Sequence, residues 1–133
     1  MEHEIAQQHR ALYEFFERTG EVLTGDGHLA EKQRAVESLR AALESHLLGE
    51  EDLYFPAIAS LRPAHAALIR GLVQAHRRFR ELVDEALARI EAGSVSAALE
   101  ALGRFEAAFL GHERQEESLL RAIDREIARR PPS

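Results

Sequence analysis

The chain has 133 residues, of which 45% are hydrophobic and 30% charged, with a formal charge of −6 and no cysteine. That length suits one domain with a real core, and the missing thiols exclude disulfides, thiolate metal sites and cysteine nucleophiles. The acidic balance argues against nucleic acid as a partner, since nucleic acid requires a basic face. No stretch reaches the roughly 20 apolar residues of a membrane span. The first residues, MEHEIAQQHR, contain no apolar run of the secretory kind, so a cytoplasmic location is expected.

Helix formers (Ala, Leu, Glu, Arg) dominate, and the residues that favour strands are sparse. Apolar spacings of three and four mark four amphipathic segments. The first runs from about Glu2 to Leu23 with a stripe of Ile5, His9, Leu12, Phe16 and Leu23. Thr24-Gly25-Asp26-Gly27 then breaks it. The second runs from His28 to about Leu61, through Val36, Leu39, Leu43, His46, Glu50, Leu53 and Tyr54. Pro56 should kink it, because proline removes a donor and crowds the preceding turn; Gly49 weakens the same region.

The third segment begins around Pro63, a residue suited to a first turn. It carries Ile69, Leu72, Val73, His76, Phe79, Val83 and Leu87, and ends at Gly93. The fourth starts near Ser94 or Ser96, each a suitable N-cap. It carries Leu99, Leu102, Phe105, Phe109, His112, Glu116, Leu119, Ile123 and Ile127. Short loops between long helices predict an all-α, antiparallel up-down-up-down four-helix bundle over residues 1–128. Residues 129–133 read as a frayed tail.

Six polar residues stand where these stripes call for apolar ones: His9, His46, Glu50, His76, His112 and Glu116. An ionised carboxylate in a core is costly unless it is paired or bound to metal. His46 with Glu50, and His112 with Glu116, are spaced i, i+4 and so share a helix face. Each pair presents a nitrogen and an oxygen to one point, a donor set that suits iron, manganese or zinc. Counted from the loops at about 1.5 Å per residue, the six residues on four helices fall within a turn or so of one level. Of the other histidines, His3 and His28 lie near bundle ends, and His65 is about 16 Å along its helix from His76. All three read as surface or end-of-core residues.

His9, the run His46-Leu-Leu-Gly-Glu50-Glu51, His76 and the run His112-Glu-Arg-Gln-Glu116 together resemble the hemerythrin-like HHE cation-binding pattern, over nearly the whole chain. The resemblance implies a non-haem pair of irons bridged by Glu50 and Glu116, with His9, His46, His76 and His112 as terminal ligands. It also implies binding or sensing of O2, NO, peroxide or iron. Glu51 and Glu117 are alternatives for the bridging carboxylates.

One departure matters. Oxygen-carrying hemerythrins have His-x-x-x-His on the third helix, and here the residue four before His76 is Leu72. That favours reactivity with peroxide over simple oxygen carriage, so catalase- or peroxidase-like decomposition of hydrogen peroxide stands as the alternative function. Tyr54 is a candidate extra ligand, or a core tyrosine bonded to a ligand.

Overall fold

The structure, a computed structural model, describes residues 2–129. They form α1 (Glu2–Thr24), α2 (Leu29–Gly49), a π turn (Glu50–Tyr54), α3 (Phe55–Leu61), a 3-10 turn (Pro63–His65), α4 (Ala66–Glu91) and α5 (Val95–Arg129). α2, the π turn and α3 follow without a break, so the chain makes four rods. α1 packs against α2 and α5, and α4 packs against α2 and α5. None of the helices among the described residues is long and apolar enough to cross a membrane.

Local chemistry sets the boundaries. Between α4 and α5, Gly93 takes φ 88°, a left-handed conformation that costs a glycine little. The Gly93 N–H donates to the Ile90 carbonyl and the Ser94 N–H to the Arg89 carbonyl, which closes α4 in a Schellman motif. Ser94 then caps α5, its Oγ accepting from the Ala97 N–H at 3.3 Å. The expected tail, residues 129–133, lies mostly outside the described residues. Arg129 still belongs to α5.

Pro56 acts one turn upstream of itself. It offers no N–H to the carbonyl four residues before it, and the Phe55 N–H instead bonds to the Glu50 carbonyl, five residues back. This wider turn rotates the chain out of the α-helical phase that the stripe assumed. Leu53, expected on the inner face, is 64% exposed, while Phe55 and Ile58 take over the burial. Phe16 is half-buried, and Thr19 turns inward with its hydroxyl donating to the Phe15 carbonyl. Ile127 is exposed rather than buried.

The core is divided in two. A larger apolar cluster contains Leu12, Leu43, Leu47, Phe79, Phe105 and Phe109. A smaller one contains Ile5, Phe55, Ile58, Leu72, Leu119 and Ile123. On every rod the unusual polar residue stands between the two: His9 between Ile5 and Leu12, Glu50 between Leu47 and Phe55, His76 between Leu72 and Phe79, and His112 with Glu116 between Phe109 and Leu119. A polar layer therefore crosses the bundle with apolar packing on both sides.

Candidate metal centre

Each rod delivers its donor by a different local route. α1 brings His9 one turn after Ile5. α2 brings His46 in its last turn, and the π turn opens with Glu50. α4 and α5 bring His76 and the His112/Glu116 pair from positions one turn away from Phe79 and Phe109. Glu50, Glu116 and His76 are fully buried, and His9 is 2% exposed.

These donors fall into two sets. His9, His46, Glu50 and Glu116 form one, and Glu50, His76, His112 and Glu116 form the other; within each, one ligand atom per residue lies within 4.8 Å of the rest. Both sets contain both glutamates. His46 Nε2 is 3.3 Å and His76 Nε2 3.1 Å from opposite oxygens of Glu50. His9 Nε2 is 3.4 Å and His112 Nε2 3.1 Å from opposite oxygens of Glu116. The rings pair to match, with His9 against His46 at 5.1 Å and His76 against His112 at 5.0 Å between centroids.

These approaches lack hydrogen-bond geometry. Both oxygens of Glu50 and of Glu116, and Nε2 of all four histidines, are buried without a hydrogen-bond partner. Buried polar atoms are normally satisfied, and leaving carboxylates bare in a core costs several kcal/mol per ion. Eight orphaned donor atoms pointing at two shared points are what a pair of cations would satisfy, and imidazole with carboxylate is a donor set for transition metals. The residues therefore fit the group that the sequence pattern implied.

Electrostatics agree. Burial alone would raise the Glu50 carboxyl, but the imidazoles of His46, His76 and His9 outweigh it and hold the carboxyl well below the usual carboxylate range. Burial pushes His112 down to about 4, with the charge of His76 adding to the effect. Its lone pair is thus free for a metal at neutral pH.

Around the six lie residues that the stripe did not single out. Glu51, next to Glu50, places Oε2 2.6 Å from His76 Nδ1. Arg80 holds the same carboxylate at 3.0 Å and is itself bound by Glu44 at 2.7 and 3.1 Å. Glu113 is buried, and burial pushes its carboxyl up to about 7, only partly offset by His9. Glu117 is partly exposed and lies 3.8 Å from His9 Nδ1, outside the two donor sets. The spacing of Glu113 and Glu117 repeats the i, i+4 interval of His112 and Glu116, one residue later; that was the signal available for Glu113.

Tyr54 is half-buried, and its hydroxyl accepts from Gln8 Nε2 at 3.3 Å. With Gln8, Phe15, Gly49 and Leu53 it lines an open groove of about 490 Å³ between α1 and α2 that reaches His46. Leu72 is buried in the smaller apolar cluster. His3 and His28 are exposed and His65 is half-buried; none joins a donor set.

Four rods around a buried layer of four imidazoles and two shared carboxylates define a helical metal-binding protein. The profile of the hemerythrin HHE cation binding domain matches residues 1–123, and the chain belongs to that family. No curated protein matches the chain, and no solved structure does.

Proposed function

We propose that the chain is a non-haem di-iron protein that binds or senses O2 or a related small ligand such as NO. Glu50 and Glu116 would bridge the two ions, His9 and His46 would complete one, and His76 and His112 the other. The observation that carries this reading is the sharing of both glutamates by two otherwise separate histidine pairs. A single-ion or zinc site needs only one such set. A bound di-iron pair supplies a reducible centre with positions open to a small ligand.

The chain's own residues prepare that centre. Phe79 and Phe109 pack edge-on at 5.2 Å, and Phe79 meets the His112 ring at 4.9 Å. They close one side of the layer to water with apolar surface. Glu51 fixes the ring plane of His76 through its Nδ1–H, so that Nε2 faces Glu50. The groove between α1 and α2 reaches the His46 edge of the layer from solvent.

Decomposition of peroxide is the second reading, favoured by one observation. The position one turn before His76 is the buried, apolar Leu72, so each ion would have two histidines rather than three on one side. Fewer protein ligands leave more positions open to an oxidant.

An up-down-up-down order of the four rods forms part of the proposal. Going along the chain, α1 passes from the smaller core cluster to the larger, the α2–α3 rod from larger to smaller, α4 from smaller to larger, and α5 from larger to smaller. Glu2 N–H bonded to Asp124, and Tyr13 to Glu106, pair α1 and α5 in opposite senses.

The test uses iron-loaded protein. About two irons per chain and a reversible spectral change with O2 or NO are expected. Sustained oxygen release on adding hydrogen peroxide would move the assignment to the enzyme, and absence of any stoichiometric transition metal would overturn both.

A further inference from the structure

We propose that Glu113, Glu117 and the Nδ1 edge of His9 form a third cation site, occupied transiently, through which divalent metal is loaded into the inner pair. This rests on the di-metal reading of the inner donors.

The His9 ring is a partition. Its Nε2 faces inward, 3.4 Å from Glu116 and 3.7 Å from Glu50. Its Nδ1 faces the other way, 3.6 Å from Glu113 and 3.8 Å from Glu117. One ligand atom from each of His9, Glu113 and Glu117 lies within 4.8 Å of the others, as in the two inner sets. Two carboxylates and an imidazole are sufficient donors to hold a divalent ion while it keeps some of its water.

More than an acidic cluster is present. His9 is 2% exposed, and its Nδ1 is buried without a hydrogen-bond partner; the Glu113 Oε1 is orphaned in the same way. Exposure grades across the group, from the Glu117 side chain at 28% through Glu113 at 10% to His9 at 3%. A cation arriving from solvent would meet Glu117 first, Glu113 next and the imidazole last. The other side of the centre is not built this way: His76 Nδ1 is already taken by Glu51 at 2.6 Å.

Proton bookkeeping makes the outer site transient. A cation on Nδ1 needs the lone pair there, so the ring proton sits on Nε2. For the ion to pass to the inner set, Nε2 must give up that proton and supply its own lone pair. The proton returns to Nδ1, on the side of Glu113 and Glu117, whose carboxylates are then freed of the ion. No net proton is gained or lost. One neutral ring serves one side at a time, so filling the inner set releases the outer one.

The experiment follows uptake of Co(II) by the metal-free full-length chain, by its visible absorbance in stopped flow, with final content measured by elemental analysis. The double variant Glu113→Gln/Glu117→Gln is compared with wild type and with Glu91→Gln, an exposed acid at the end of α4. The single variant Glu117→Gln, at the partly exposed position, guards against misfolding of the double variant. Removing a local negative funnel should slow uptake about ten-fold or more, with final content kept at about two ions and Glu91→Gln unaffected. An unchanged rate in both glutamine variants overturns the proposal. So does a lower final content at wild-type rate, which would make the two acids mere holders of the His9 ring. Wild-type protein that takes up no metal would overturn the di-metal reading as well.

Discussion

His76 Nδ1 and Glu51 Oε2 stand 2.6 Å apart, and Arg80 holds the same carboxylate oxygen at 3.0 Å. The imidazole is fully buried while Glu51 is 21% exposed, so this contact ties the buried layer to the protein surface. A carboxylate on the distal nitrogen of a metal-bound imidazole fixes its tautomer and makes it a stronger ligand. Glu51→Gln keeps the shape but loses the charge, and Glu51→Ala loses both. Metal affinity, measured by competition with a chelator, should fall about 10- to 100-fold in the alanine variant and less in the glutamine variant. Equal affinities in all three proteins would show that the contact does not act on the ligand.

The six inner residues should respond unlike the remaining histidines. His46→Ala removes one terminal donor, and Glu116→Ala removes an oxygen donor from both sets at once. Glu116→Ala should therefore lower metal content most, toward zero, and His46→Ala should cost about half of it. His65→Ala, at a half-buried position on the 3-10 turn outside both sets, should leave content at the wild-type value. Elemental analysis of proteins purified after iron-replete growth reads all three. An equal loss in every variant would mean that folding rather than ligation is being measured, which circular dichroism of the same samples resolves.

The positions of these six were legible because each breaks an apolar stripe, and a stripe reports burial before any partner is known. Leu53 and Tyr54 were placed on the inner face because a regular helix continues the phase of His46 and Glu50. The π turn ahead of Pro56 exposes Leu53 and leaves Tyr54 half-buried against the smaller cluster, and a proline foretells disruption without foretelling its direction. Glu51 and Glu113 were harder to read. Each stands beside an inner residue, on a flank whose burial depends on the neighbouring rod: α4 brings His76 to Glu51, and α1 brings His9 to Glu113. Helical spacing within one segment does not contain that packing. The division of the core into two clusters around the polar layer was implicit in the depth of the six residues, since apolar positions lie on both sides of each.

Metal should stabilise the fold strongly. Without it, Glu50 and Glu116 remain buried with both oxygens of each unpartnered. A ligand that binds only the folded state adds RT ln(1 + [L]/Kd), about 4 kcal/mol at a thousand-fold excess over Kd. The melting temperature should therefore rise with metal concentration, and fall again when a chelator strips the ions. The variant Glu50→Gln/Glu116→Gln separates the causes: it relieves the buried charge, so its metal-free form should melt higher than metal-free wild type, while its response to metal disappears. Identical melting of wild type with and without metal would contradict the counter-charge argument.

Leu72 offers the sharpest probe of the proposed open position. It is 2% exposed, one turn before His76, packed in the smaller cluster with Ile5, Phe55 and Leu119. Leu72→His restores the His-x-x-x-His spacing, and places a nitrogen where it can reach the ion that His76 and His112 would hold. In the metal-free protein that nitrogen has no ion to bind, and a buried polar group without a partner costs about 1–3 kcal/mol. The loaded protein should recover most of that cost, because the ion becomes the partner. The variant should accordingly lose stability as apo protein and gain a larger increment on metal binding than wild type does. If the added histidine fills a position that peroxide would otherwise occupy, any oxygen release from peroxide should also drop. Equal penalties in the apo and loaded forms would show that the histidine does not reach the ion, and that Leu72 serves only the packing of the smaller cluster.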